Sequence, residues 1–183
     1  MAPDIGVRIA TMLRALEEVI LPAIDPEHKP AIQQVRLCIL NLQMIAAQHD
    51  KAYHLAITEL HMFAALMLRL HETARSIVEP DLCAHLDSAV ADEMNNLRTP
   101  AFGRIEAATQ RYRELADAIL ESPRLKANAV ARQHVIEAVM AHSAEEAIMR
   151  RAWSALEGME SDPDALPSLD TIIASAISNT QGE

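Results

Sequence analysis

Glycine, aromatic residues, cysteine and basic charge are all scarce in this 183-residue chain, and each scarcity removes a class of function. Four isolated glycines (Gly6, Gly103, Gly158, Gly182) are too few for phosphate-cradling loops, and neither a Walker A sequence nor GxGxxG occurs. They are also too few for the tight turns of most sandwiches and barrels. Five aromatics (Tyr53, Phe63, Phe102, Tyr112, Trp153) offer few platforms for base stacking. Sixteen basic side chains against 26 acidic ones give a formal charge of −10, the opposite of the basic footprint that displaces counterions from nucleic acid. Nucleic acid is therefore not expected as a partner. Cys38 and Cys83 stand far apart with no CxxC or Cys/His spacing, which fits buried thiols in a reducing compartment better than a disulfide frame or a zinc site.

Long apolar runs are missing as well. The densest, Leu37 to Ala47, is interrupted by Asn41 and Gln43, whereas a membrane span needs about twenty predominantly apolar residues. Met1-Ala2-Pro3-Asp4 does not open a charged region followed by an apolar core, so no secretory signal is expected. The expectation is a soluble cytoplasmic protein.

What is present is helical periodicity. Half of the residues are hydrophobic, and at about 150 residues per domain the length suits one core. Ile5, Ile9, Met12, Leu13, Leu16, Val19 and Ile20 share one face of a first helix, which Pro22 should stop. A second helix over about 30–48 is apolar around most of its circumference, as a central bundle helix would be. A third runs from about Lys51 to Val78, and a fourth from about Asp81 to Leu97. Thr99-Pro100 and Ser122-Pro123 each read as a cap followed by a first-turn proline, opening helices near 100–121 and 123–141. The apolar face then changes phase, and Ser143-Ala144-Glu145-Glu146 resembles a capping box, so a new or kinked helix is expected from there to Gly158. A turn-rich linker leads to a short helix near 169–178. The fold expected is an all-α, single-domain bundle of about six to eight helices over 1–160, with 161–183 as a linker and a docked or fraying helix.

Eight histidines raise the question of a metal. Di-metal bundles need Glu-x-x-His twice, and no glutamate here has a histidine three residues later. The reversed spacing in His134-x-x-Glu137 and His142-x-x-Glu145 reads as a surface salt-bridge pattern. HExxH, GxSxG and CxxCH are absent. No metal site and no cofactor are expected.

In the third helix, polarity and pattern conflict. Lys51, His54, Thr58, His61, Arg69, Glu72 and Arg75 form a solvated stripe, while Glu59 and His71 fall inside the apolar arc. A buried carboxylate or imidazole needs a partner, and burial raises the pKa of the first and lowers that of the second. Twelve residues apart, roughly 18 Å along one helix, the two cannot serve each other. Arg36 and His85 are the candidate partners. Glu59 and His71 are thus the candidate catalytic residues, weighed against a purely structural role, and a pocket around them would be lined by His61, Met62, Met67, Arg36 and His85. The methionines are core filler or, if a pocket exists, its plastic apolar wall. Arg104, Arg111, Arg113, Arg124, Lys126 and Arg132 would suit an anionic ligand such as an acyl-CoA phosphate, or a solvated face balancing Glu106, Glu114, Asp117 and Glu121.

Leu13 to Pro22, followed by the helix from Ile32 to Gln48, resembles a family of small bacterial helical proteins of unknown function. That family is encoded beside acyl-CoA dehydrogenases and phosphotransferase-like kinases. The resemblance covers about a quarter of the chain, rests on amphipathic spacing and carries no catalytic residue. It implies a role near acyl-CoA or lipid-like catabolism. The reading that follows is a non-catalytic helical interaction or accessory protein that associates with itself or with a protein partner. The alternative is a small cofactor-free enzyme or bundle that binds an apolar or acyl small molecule.

Overall fold

Pro22 does not end the first helix. The computed structural model describes residues 4–96 and 101–180, with side chains described over 4–91 and 101–175. In it α1 (Ile5–Arg14) continues through a π turn (Ala15–Ile20) into a last turn at Leu21–Ala23. A proline within an α-helix lacks the N–H that bonds four residues back, and its ring collides with that carbonyl. In the wide turn the Leu21 N–H reaches the Leu16 carbonyl, five residues back, which opens the ladder where Pro22 needs room. After Ala23 the Asp25 carboxylate accepts from the Glu27 amide at 3.0 Å and tightens the connector. His28 then caps α2 (Lys29–Gln48) by accepting at Nδ1 from the Ala31 amide, and Pro30 occupies the first turn, where no N–H is needed.

The remaining helices are α3 (Ala52–Ala74), α4 (Pro80–Asn96), α5 (Phe102–Glu121), α6 (Pro123–Ala127), α7 (Ala129–Leu156) and α8 (Leu169–Thr180), with a 3₁₀ turn at Pro163–Ala165. No strand occurs among the described residues, and the fold is all-α. No helix among them is long and apolar enough to cross a membrane. α3 ends four residues before Val78, and Pro80 opens α4 instead of merely closing its predecessor. The expected Thr99-Pro100 cap lies outside the described residues. Ser122 caps α6 as expected, its Oγ accepting from the Leu125 amide at 3.2 Å. Asn128 then breaks the helix and starts α7, its Oδ1 accepting from the Ala131 amide.

α7 corrects a second expectation: it is unbroken across Ser143–Glu146. Its buried stripe is Ala131, Val135, His142, Met149 and Ala152, a continuous helical spacing. The apparent change of phase arises because Met140 and Ile148 face outward while the polar His142 faces the core.

Contacts group the chain into two compact units, residues 1–52 with 154–161 and residues 53–153 with 162–183. In the first, α1 and α2 pack as an antiparallel hairpin, Gly6 lying beside His49. Ile9 and Ile39 are its only buried large apolar side chains among the described residues. The C-terminal end of α7 joins it through Gln48, whose Nε2 donates to Glu157 Oε1 at 2.6 Å. That end is closed by Gly158 at φ +69°, with the Met159 amide bonding the Ser154 carbonyl and the Gly158 amide that of Ala155.

The second unit holds the larger core. α3 is its spine, burying Leu60, Phe63, Leu66, Met67 and Leu70 against Leu86, Ile105, Ile119, Leu125 and Val135. Ser122 donates to Glu79 Oε2 at 2.6 Å, and the Arg124 amide bonds the other oxygen, so the α3–α4 connector is tied to the start of α6. Leu169 is buried, which docks the start of α8.

Candidate functional site

Glu59 on α3 is held by two arginines from distant parts of the chain, and neither is one of the expected partners Arg36 and His85. Its Oε1 accepts from Arg113 Nη2 on α5 at 3.0 Å and from Arg150 Nη2 on α7 at 2.7 Å. Glu146 completes the group: its Oε1 lies 2.7 Å from Arg150 Nη2 and 3.8 Å from Arg113 Nη2. Two carboxylates and two guanidinium groups thus knot three helices at a partly exposed edge. One Glu59 oxygen serves as acceptor for both arginines, and the role this geometry gives it is that of a tie.

Beneath the knot lies an aromatic contact. Arg113 Cζ stands 5.1 Å from the Phe63 ring centroid, and the His142 ring meets Phe63 edge-on with centroids 4.4 Å apart. His142 is 4 % exposed and neither ring nitrogen has a hydrogen-bond partner. Burial pushes its pKa below the usual value, Glu146 and Glu145 pull it partly back, and Arg69 lowers it further. The Met62 backbone raises it slightly without reaching hydrogen-bond geometry. The nearest carboxylate oxygen, on Glu146, stands at 3.8 Å, too far for a good hydrogen bond. His142 is the buried polar residue that the polarity pattern hides. Its signal is a register: positions 135, 142, 149 and 156 repeat every seven residues on one face of the helix.

His71 sits elsewhere, on the rim between α3 and α4. Its Nε2 is 2.9 Å from Asp87 Oδ1, and Arg75 clamps the same carboxylate with Nε at 2.6 Å and Nη2 at 3.0 Å. The Arg75 hydrogen bond, with His71 adding to it, holds Asp87 down at about 2. The Cys83 thiol points at Asp87 Oδ2 (3.9 Å). Nucleophilic catalysis needs the base on the thiol and the acid behind the base. Here the carboxylate stands between the two, so the order is wrong for that chemistry.

The other candidate residues do not gather around Glu59 and His71. Arg36 is an exposed side chain of the first unit and is not the partner of either. Met67 is fully buried core, and Met62 is half-buried. His61 and Thr58 correct the solvated stripe: Thr58 is buried, and the His61 Nδ1 is buried without a hydrogen-bond partner, its pKa lowered by burial. His85 is exposed and pairs with neither candidate. It lines a groove of about 350 Å³ between α4 and α5, with Leu82, Ala89, Leu115 and Ala118 as apolar wall and Ser88 and Glu114 among its polar groups.

Among the described residues no group of three His, Cys, Asp or Glu side chains is placed to hold a metal ion. The basic residues of α5 and α6 are used in part as the balanced-face reading expects, Lys126 pairing with Glu121. No family model, curated protein or solved structure matches the chain.

Proposed function

We propose that this chain is a non-catalytic helical interaction or accessory protein whose first unit is the docking element. One observation carries the reading. Of the large hydrophobic side chains that stay exposed, Ile5, Val7, Met12, Val19, Ile20, Leu37, Leu40 and Ile45 all belong to α1 with its π turn and to α2. Single exposed apolar residues are ordinary, but a concentration of this kind on one hairpin marks an interaction surface. The resemblance of these two helical segments to the bacterial family noted above sets the role beside acyl-CoA or lipid-like catabolism. The arrangement around Glu59 supports the same reading, since its oxygen is occupied by two arginines of the same unit.

Native mass measurement of the chain purified under mild conditions tests the proposal. A complex is expected, of copies or with another protein. A strict monomer with nothing attached, in which the hairpin's apolar side chains are shielded from solvent, rejects it.

The groove beside His85 favours a second reading, an apolar or acyl small-molecule site. Its volume falls at the lower end of ligand pockets, roughly 300–1,000 Å³, with an apolar wall and few polar groups. Glu59 and His71 do not line it, which separates this reading from proton transfer by that pair. Titration of a medium-chain fatty acid should shift the His85 ring signals in NMR. Unchanged signals reject the reading.

A further inference from the structure

The hairpin of the first unit leaves apolar side chains of both helices uncovered. On α2, Ile39 is buried and Val35 and Leu42 are half-buried toward α1. At 100° per residue, Leu37, Leu40 and Ile45 cover an arc of about 140° on the other side. These three are 45 %, 46 % and 49 % exposed. On α1, Ile9 is buried and Leu13 and Leu16 are half-buried, while Ile5 and Met12, seven residues apart on the flank of that face, remain exposed, as does Val19 in the π turn. α2 is therefore apolar toward two sides with one neighbour inside the hairpin, and the apolar face of α1 is wider than α2 covers.

We infer that the missing neighbours are the same two helices of a second copy, joined hairpin to hairpin about a two-fold axis. This rests on the proposed docking role and names its partner. Area supports it: leaving out Val7, which points to the opposite side of α1 from Ile5, seven side chains about half exposed leave on the order of 600 Å² of apolar surface per chain, at the lower end of the ~600–1,000 Å² each partner gives to a standard interface. Charge supports it too. Residues 1–52 hold five basic and six acidic side chains, so two copies of this segment meet almost without repulsion although the chain carries −10. Length fits as well. α2 has 20 residues, and α1 with its π turn and last turn spans Ile5 to Ala23, so the two run to nearly equal lengths and both helices of each copy find cover. A two-fold pairing is self-complementary and closes, so it covers the patch without growing into fibres.

The test is sedimentation velocity over a concentration series on the wild-type chain and on Leu40→Glu/Ile45→Glu. Both positions are exposed, so helicity by circular dichroism should be retained. The expected result is a wild-type dimer whose dissociation constant rises about a hundredfold or more in the variant. A second measurement does not depend on the variant. With Cys83→Ser and a spin label on exposed Cys38, which lies near the middle of α2, the two labels of a dimer should lie within about 30 Å. A dimer that the double substitution leaves intact, or labels far beyond that distance, overturns the inference. So does a monomer, and hydroxyl-radical footprinting then separates the causes. Leu37, Leu40 and Ile45 reactive in a monomer leave the docking role to a different protein. The same residues protected in a monomer mean that the chain covers them itself, and both readings fall.

Discussion

His142 packs edge-on against Phe63 with ring centroids 4.4 Å apart, and neither of its nitrogens is hydrogen-bonded. An imidazole in that position occupies a core site and loses its water without replacement. Unpaired buried polar groups cost about 1–3 kcal/mol, and that cost is removed when an apolar side chain of similar size takes the site. His142→Leu should therefore stabilise the protein by roughly 1 kcal/mol at neutral pH, in the range that relief of such a group gives. Chemical denaturation of the two proteins side by side measures it.

The same residue has a pH signature. Burial holds the folded His142 below the usual histidine value, so below about pH 6.5 the unfolded chain binds a proton that the folded one resists. Stability is then fully present above that pH and falls as pH decreases toward the folded value. Glu145 and Glu146 soften the slope, and Arg69 steepens it. His61, lowered by burial in the same direction, adds to it. His142→Leu should flatten the stability curve below about pH 6.5, leaving the part due to His61. An unchanged slope would mean that His142 is hydrated in solution.

How far the sequence discloses this arrangement depends on what each residue's environment is made of. Helix periodicity is local, so spacing alone marks Ile9, Ile39, Leu66 and Leu70 as apolar helix positions, and all four are buried. Capping is also local, and Ser122 and Gly158 act as their neighbours in the chain suggest. Partners are not local. Glu59 finds Arg113 and Arg150, 54 and 91 positions away, and a pattern along one helix holds no trace of them. His71 has its partner closer, at Asp87, but an acidic residue one helix turn after Cys83 reads as ordinary surface. Pro22 misleads because a π turn absorbs its clash, which depends on a ladder rearrangement and not on composition.

Glu59 and Arg113 should be coupled, though modestly. Their 3.0 Å contact is partly exposed, with Glu59 at 20 % and Arg113 at 41 %, so solvent screens it. A double-mutant cycle with Glu59→Leu and Arg113→Leu is expected to give about 0.5–1 kcal/mol of interaction, the upper part of the range for partly exposed pairs because Arg150 and Glu146 share the network. The cycle with Arg150→Leu should give a comparable value. Zero coupling in both cycles would show that the knot is ornamental in solution.

The two glycines that are open to substitution should respond with opposite signs. Gly158 has φ +69°, and an added Cβ would meet nothing within 4 Å, so Gly158→Ala introduces only the left-handed backbone strain. That costs about 1 kcal/mol. Gly103 lies in the first turn of α5, where an added Cβ also meets nothing. There Gly103→Ala should stabilise by up to about 0.5–1 kcal/mol, because alanine loses less backbone entropy in a helix. Thermal melts of the two variants against the wild type read both signs.

Asp87 sets the acid limit of the α3–α4 rim. With the Arg75 clamp and the His71 bond it titrates at about 2 when folded, against an ordinary value of 3.8. A carboxylate lowered on folding contributes stability that is present above its unfolded pKa and is lost as pH falls through the folded one. Asp87→Asn keeps the shape and removes the charge, so it should lower stability at neutral pH. The gap from wild type should hold down to about pH 4 and then narrow toward pH 2, as the wild-type carboxyl takes up its proton. Denaturation midpoints of the two proteins across that interval give the comparison, and a gap of constant size throughout would mean that the clamp contributes through packing and not through charge.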